Sequence, residues 1–70
     1  MSLTNRNWKS NAYSILAIDL HVQKQRVEQM ISETGDDVQR SHLQSVYENL
    51  QSSIDSIIMA DKALGKSRVH

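Results

Sequence analysis

The sequence predicts an all-α protein, an antiparallel two-helix hairpin that pairs into a four-helix bundle as a dimer. Three observations predict it. The chain of 70 residues has no proline and only 2 glycines, so helices can run long without a break. Apolar residues recur at alternating steps of three and four on both sides of Gly35, the spacing of one helix face. Those residues also mirror about Gly35. Pairing positions equidistant from it sets Val27 against Leu43, Leu20 against Leu50, Leu16 against Ile54 and Tyr13 against Ile57, as a tight reversal between neighbouring helices requires.

The elements follow in order within a single domain, residues 1–70. Residues 1–7 are polar and aperiodic and read as a frayed arm, in which Met1, Ser2 and Leu3 are given no role. Helix 1 spans about 8–33, capped by Asn7 or Ser10, with Trp8 packing over Ala12. Its apolar stripe is Tyr13, Leu16, Leu20, Val27 and Met30, interrupted by Gln23, which the mirror sets against Tyr47 as a register-fixing polar pair. The turn is 34–36. Gly35 supplies the left-handed residue that ends helix 1, and Asp36 caps helix 2 with Gln39 three positions on, a capping-box variant. Helix 2 spans about 37–64, with Leu43, Val46, Tyr47, Leu50, Ile54, Ile57 and Leu64 toward the partner helix. Gly65 terminates it, Lys62 and Lys66 complement its negative end, and 65–70 form a flexible tail.

Ile15-Leu16-Ala17-Ile18 and Ile57-Ile58-Met59 are short apolar runs that strands also show, but the sustained helical period around them favours helix. A membrane span needs about 20 apolar residues. The best stretch, Ile15 to Val22, is short and broken by Asp19 and His21, so neither a span nor a signal-peptide core is expected. With no cysteine and no such segment, the expected location is the cytoplasm.

Basic and acidic side chains balance at 8 each, which removes any global argument for nucleic acid. Their distribution is uneven. Arg6, Lys9, Lys62, Lys66 and Arg68 lie near the chain ends, and Glu28, Glu33, Asp36 and Asp37 lie around the turn. A hairpin brings both ends to one pole, so the rod is expected to be basic at its open end and acidic at its closed end.

No residue pattern points to catalysis, a metal or another cofactor. His21 is expected near Asn49 and His42 near Glu28, not beside each other, and His70 falls in the tail. Asp19, Asp55 and Asp61 are expected on wet flanks, and no serine or threonine has a histidine base beside it. The expectation is a non-enzymatic protein without a small-molecule ligand.

What remains is surplus apolar surface. Ile15, Ile18 and Val22 form a second row on helix 1, and Ile58 lies toward the flank of helix 2. Burying each aliphatic side chain is worth about 1.5–3 kcal/mol, so these residues are expected to meet a second copy or a helical protein partner. The predicted function is a small interaction module, such as an adaptor, co-chaperone or assembly factor. In size and outline the chain resembles the small hairpin co-chaperones of type III secretion needle subunits, which implies a helical client. The alternative is a dimeric nucleic-acid-binding regulator working through the basic open end. That architecture resembles the RNA-binding hairpin that controls plasmid copy number, although only Lys24, Arg26 and Arg40 occupy the middle of the rod.

Overall fold

The computed structural model describes the backbone of residues 2–67 and the side chains of residues 8–64. Two helices make up the fold: α1, Ser2–Glu33, and α2, Asp37–Ser67. No strand occurs among the described residues. Packed side by side, the helices form a rod of 52 × 17 × 11 Å.

Both helices are longer than expected. α1 starts at Ser2, several residues before the anticipated Asn7 or Ser10 cap. No glycine or proline lies between Ser2 and Glu33, and the polar residues there lower helix propensity only slightly, so nothing stops propagation. α2 likewise runs through Gly65 to Ser67. A glycine weakens a helix interior by about 0.5–1 kcal/mol relative to alanine without breaking it. The remainder of the expected tail, 68–70, lies outside the described residues.

The reversal is held by side chains. At the end of α1, the Thr34 hydroxyl donates to the Met30 carbonyl at 2.6 Å and Ser32 donates to the Gln29 carbonyl at 2.7 Å. The Thr34 amide reaches the Ile31 carbonyl at 3.3 Å, and Arg40 Nη2 donates to the Thr34 carbonyl at 2.6 Å. Carbonyls left over at a helix end are thereby satisfied without a left-handed residue. Gly35 accordingly has no positive φ, a correction to the expected role of this glycine. Asp36 caps α2. Its Oδ1 accepts from the Val38 amide at 2.8 Å and from the Gln39 amide at 3.4 Å, while among the described residues no side-chain bond from Gln39 returns to Asp36.

The helices meet along two seams of heptad spacing. On α1 the less exposed residues include Ser10, Tyr13, Ala17, Leu20, Lys24, Val27 and Ile31, and Thr34 just past its end continues the series. On α2 they include Leu43, Tyr47, Leu50, Ile54, Ile57, Asp61 and Leu64. Each set advances by alternating threes and fours, which keeps one stripe facing a neighbour. Register is fixed by two cross-helix contacts whose position numbers have the same sum: Ser10 Oγ donates to Asp61 Oδ1 at 3.4 Å, and Lys24 Nζ sits 5.1 Å from the Tyr47 ring centroid. In that register Ile54 stands level with Ala17, while Tyr13 and Ile57, Leu20 and Leu50, and Val27 and Leu43 stand within one residue of level. Leu16 is equally close in height to Ile54 but is turned away from it, 47% exposed. At 2% exposure, Ile54 is the single fully buried residue among those described.

Candidate interaction surface

The expected hairpin core is corrected at three positions. Leu16 is 47% exposed, and Met30 and Val46 are about as open. Ala17, Lys24 and Ile31 hold the places on α1 that Leu16, Gln23 and Met30 were expected to fill. The whole helix is turned by about 50° relative to the expected stripe, one position of a seven-residue frame. Tyr13, Leu20, Val27, Leu43, Tyr47, Leu50, Ile54, Ile57 and Leu64 do lie on the seams.

Besides Ser10, the polar member of the α1 seam is therefore Lys24. Its ammonium donates to the Gln51 side-chain carbonyl and lies over the Tyr47 ring, and Gln51 in turn donates to Asp55 at 3.0 Å. A lysine is tolerated here because its long stem packs against the seam while the head stays at the rim. Gln23, expected to meet Tyr47, is exposed. Asp61, expected to face water, lies in the seam against Ser10.

The histidines are not brought together. His21 borders a small crevice with Lys24, Gln25, Glu28 and Tyr47. His42 is exposed and makes no hydrogen bond to Glu28 among the described residues. No group of three His, Asp or Glu side chains able to hold a metal ion occurs there either.

The outward faces carry the more telling feature. Ile15 and Ile18 are 67% and 64% exposed, and Val22 is also open. Trp8, expected to pack over Ala12, is 65% exposed and extends the same row. Trp8, Ile15 and Val22 recur every seven residues, with Asn11 and Ile18 interleaved. This is a second heptad stripe, set about 150° around α1 from the seam that binds α2. Ala12, Ile15, Leu16 and Asp19 line a shallow, mostly apolar groove along it. The signal that identifies Trp8 was present in the sequence as its seven-residue spacing from Ile15.

Ile58 on α2 is also half-exposed, but it belongs to a different flank, beside Tyr13, Ser14, Ala17, Ile57 and Asp61. Charge has a simple layout. Lys9 and Lys62 are exposed toward the open end, and Glu33, Asp36 and Asp37 are exposed at the turn. Arg40 is the cation at that turn, 3.7 Å from Asp37. The side chains of Arg6, Lys66 and Arg68 lie outside those described. No described helix is long and apolar enough to cross a membrane. No protein-family model, curated protein or solved structure matches the chain.

Proposed function

We propose that this chain is a small non-enzymatic interaction module, an adaptor, co-chaperone or assembly factor, whose working surface is the outer face of α1. The observation that carries the reading is the exposed heptad row of Trp8, Ile15, Ile18 and Val22. A heptad row is the surface a helix presents to another helix, since only that spacing stays in line along a long contact. Four large apolar side chains left in water forfeit about 1.5–3 kcal/mol each, much of a small domain's stability.

The partner is a helix, either from a second copy or from another protein. In both cases α1 becomes an inner helix with α2 on one side and the partner on the other. A dimer built this way has four helices, with the two α1 helices innermost. The nucleic-acid reading draws no support from the middle of the rod. Lys24 is engaged with Gln51 and Tyr47, and Arg40 with Thr34 and Asp37, which leaves exposed Arg26 as the remaining cation there, short of the contiguous basic face that phosphates require.

Ile18→Glu tests the proposal. The side chain points to solvent, so circular dichroism should show unchanged helix content. Light scattering should show loss of association, and immobilised variant protein should lose any partner that the unmodified chain captures from a cell extract. A variant that matches the unmodified chain in both mass and capture would sink the proposed surface.

A further inference from the structure

We infer that a second copy of this chain covers the flank of the hairpin that bears Leu16, Met30 and Val46, making a four-helix bundle about a two-fold axis at the level of Gln23 and Asn49. This face is not the outer row of α1, and the inference does not rest on that row. Leu16, Met30 and Val46 are each about half-exposed and fall on one side of the rod. On α1, Leu16, Gln23 and Met30 recur every seven residues beside Tyr13, Leu20 and Val27. On α2, Val46, Ser53 and Ala60 recur in the same way beside Leu43, Leu50 and Ile57.

The apolar stripe of each helix is therefore turned by about 50° off the line that joins the two helices, one position of the seven-residue frame. Because the helices are antiparallel, both turns lead to the same flank. In an isolated pair each stripe points straight at its neighbour. In a four-helix bundle it points at the bundle axis, about 45° from each of two neighbours. The opposite flank carries Ile58 but is mostly polar, with His21, Gln25, Glu28 and Gln51 beside the seam. One side of the hairpin is built as surface and the other as half a core.

The flank matches itself when a second copy lies antiparallel on it, α1 on α1 and α2 on α2. In the register set by the Ser10–Asp61 and Lys24–Tyr47 contacts, Gln23 and Asn49 stand within one residue of level. Each meets its own equivalent near the axis, and a primary amide, donor and acceptor at once, is its own complement. Leu16 and Met30 lie seven residues on either side of Gln23, and Asp19 and Arg26 lie four before and three after it. Leu16 of one copy thus faces Met30 of the other, and each Asp19 carboxylate stands within a residue of level with the other copy's Arg26. Both pairs are spaced by whole heptads, so their members share one line of the helix and the axis sets them face to face. Val46 meets Ser53 in the same way, large against small. Asp19 and Arg26 are exposed and have no ion-pair partner among the described residues.

Charge selects this orientation. A two-fold along the rod would lay α1 on the second copy's α2, whose side of this flank holds no lysine, arginine, aspartate or glutamate between Gln39 and Ala63, and would set the acidic turns together. In the antiparallel pair, exposed Lys9, on the line of Leu16 and Gln23, comes level with the other copy's turn, where Glu33, Asp36 and Asp37 are exposed. Such ion pairs choose orientation more than they supply affinity. The pair is closed and isologous. It leaves Trp8, Ile15, Ile18 and Val22 to a helix of another protein.

The chain has no cysteine, so single cysteines report this geometry without background. Ile18→Glu removes association through the outer row, and what remains in light scattering should be twice the 8.0 kDa chain mass. In that background, under mild oxidation, Gln23→Cys and Asn49→Cys should each cross-link to themselves, because residues near the axis come within the reach of a disulfide. Leu16→Cys and Met30→Cys should each stay uncross-linked alone and should cross-link to each other when mixed. Asp19→Arg or Arg26→Asp, either of which sets like charges opposite each other twice, should raise the dimer dissociation constant about tenfold, and the two together should restore it. All these positions are exposed, so circular dichroism should match the unmodified chain.

A monomer in the Ile18→Glu background would overturn the inference and leave the outer row, which capture tests, untouched. Gln23→Cys that fails to self-link would overturn it as well. Gln23→Cys that links instead to Asn49→Cys in a mixture would do so by showing a parallel pair. A double charge variant as weak as either single one would overturn the antiparallel axis.

Discussion

The two helices of this hairpin solve the same packing problem to different extents. α2 is the more one-sided: Leu43, Tyr47, Leu50, Ile54, Ile57 and Leu64 face α1, while its outer side is mostly polar, with Val38, Val46, Ile58 and Met59 as exposed apolar residues that form no heptad row. α1 between Trp8 and Val22 is two-sided, with Tyr13, Ala17 and Leu20 toward α2 and Trp8, Ile15, Ile18 and Val22 turned away. A helix apolar on one face needs one neighbour, and a helix apolar on two faces needs two. The hairpin leaves α2 with scattered apolar residues in water and α1 with a continuous row. The surface proposed to work therefore belongs to the helix whose own pattern the fold does not complete.

The comparison can be broken first at the seam. Ile54 is the fully buried residue of the pair of helices, and truncating it to alanine removes burial and leaves a cavity that the level neighbour Ala17 is too small to fill. Ile54→Ala should cost about 2–5 kcal/mol, enough to unfold a domain whose core supplies roughly 3–5 kcal/mol. Leu16→Ala, measured at high dilution so that association does not intervene, should cost at most about 1 kcal/mol. Urea unfolding followed by circular dichroism measures both. Equal losses would mean that Leu16, not Ala17, faces α2.

A smaller effect sharpens the same assignment. Lys24 bonds to Gln51 and covers Tyr47, a part-buried cation–π contact worth about 0.5–1 kcal/mol together with a hydrogen bond of similar size. Lys24→Ala should lower stability by about 1 kcal/mol, and Gln23→Ala should stay within about 0.5 kcal/mol of the unmodified chain. The reverse order would rotate α1 back to the stripe that polarity alone suggests.

That rotation marks the boundary of what could be read from residues. Two long helices, a reversal at 34–36 and the Asp36 cap were legible, because absent prolines, heptad spacing and an aspartate before an apolar run each act locally. The inward face of α2 was nearly legible too, since most of its apolar residues share one side; Val46 and Asp61 were misplaced. On α1 the pattern has two apolar sides, so Leu16 and Ala17 compete for one place on the seam. Hydrophobicity favours the larger residue. Space favours the smaller, because Ile54 already fills the volume opposite. A lysine in a seam looks like an error in a polarity pattern, yet its stem is apolar and Tyr47 offers its head a ring face. The outer row was legible in Ile15, Ile18 and Val22 and missed only Trp8, which was read as a local staple at a helix start that lies further upstream.

The turn provides the last and smallest contrast, between a residue that looks essential and those that hold the reversal. Gly35 stands where a left-handed glycine commonly ends a helix, but Thr34 and Arg40 satisfy the final carbonyls of α1, and Gly35 has no positive φ. A Cβ added at Gly35 meets nothing within 4 Å. Alanine there should fit the folded chain without strain and reduce the freedom of the unfolded one, raising stability by about 0.4–1 kcal/mol. Thermal unfolding of Gly35→Ala checks this. A loss of stability would mean that the backbone at Gly35 needs the left-handed conformation after all, and that the bonds from Thr34 and Arg40 accompany the reversal instead of making it.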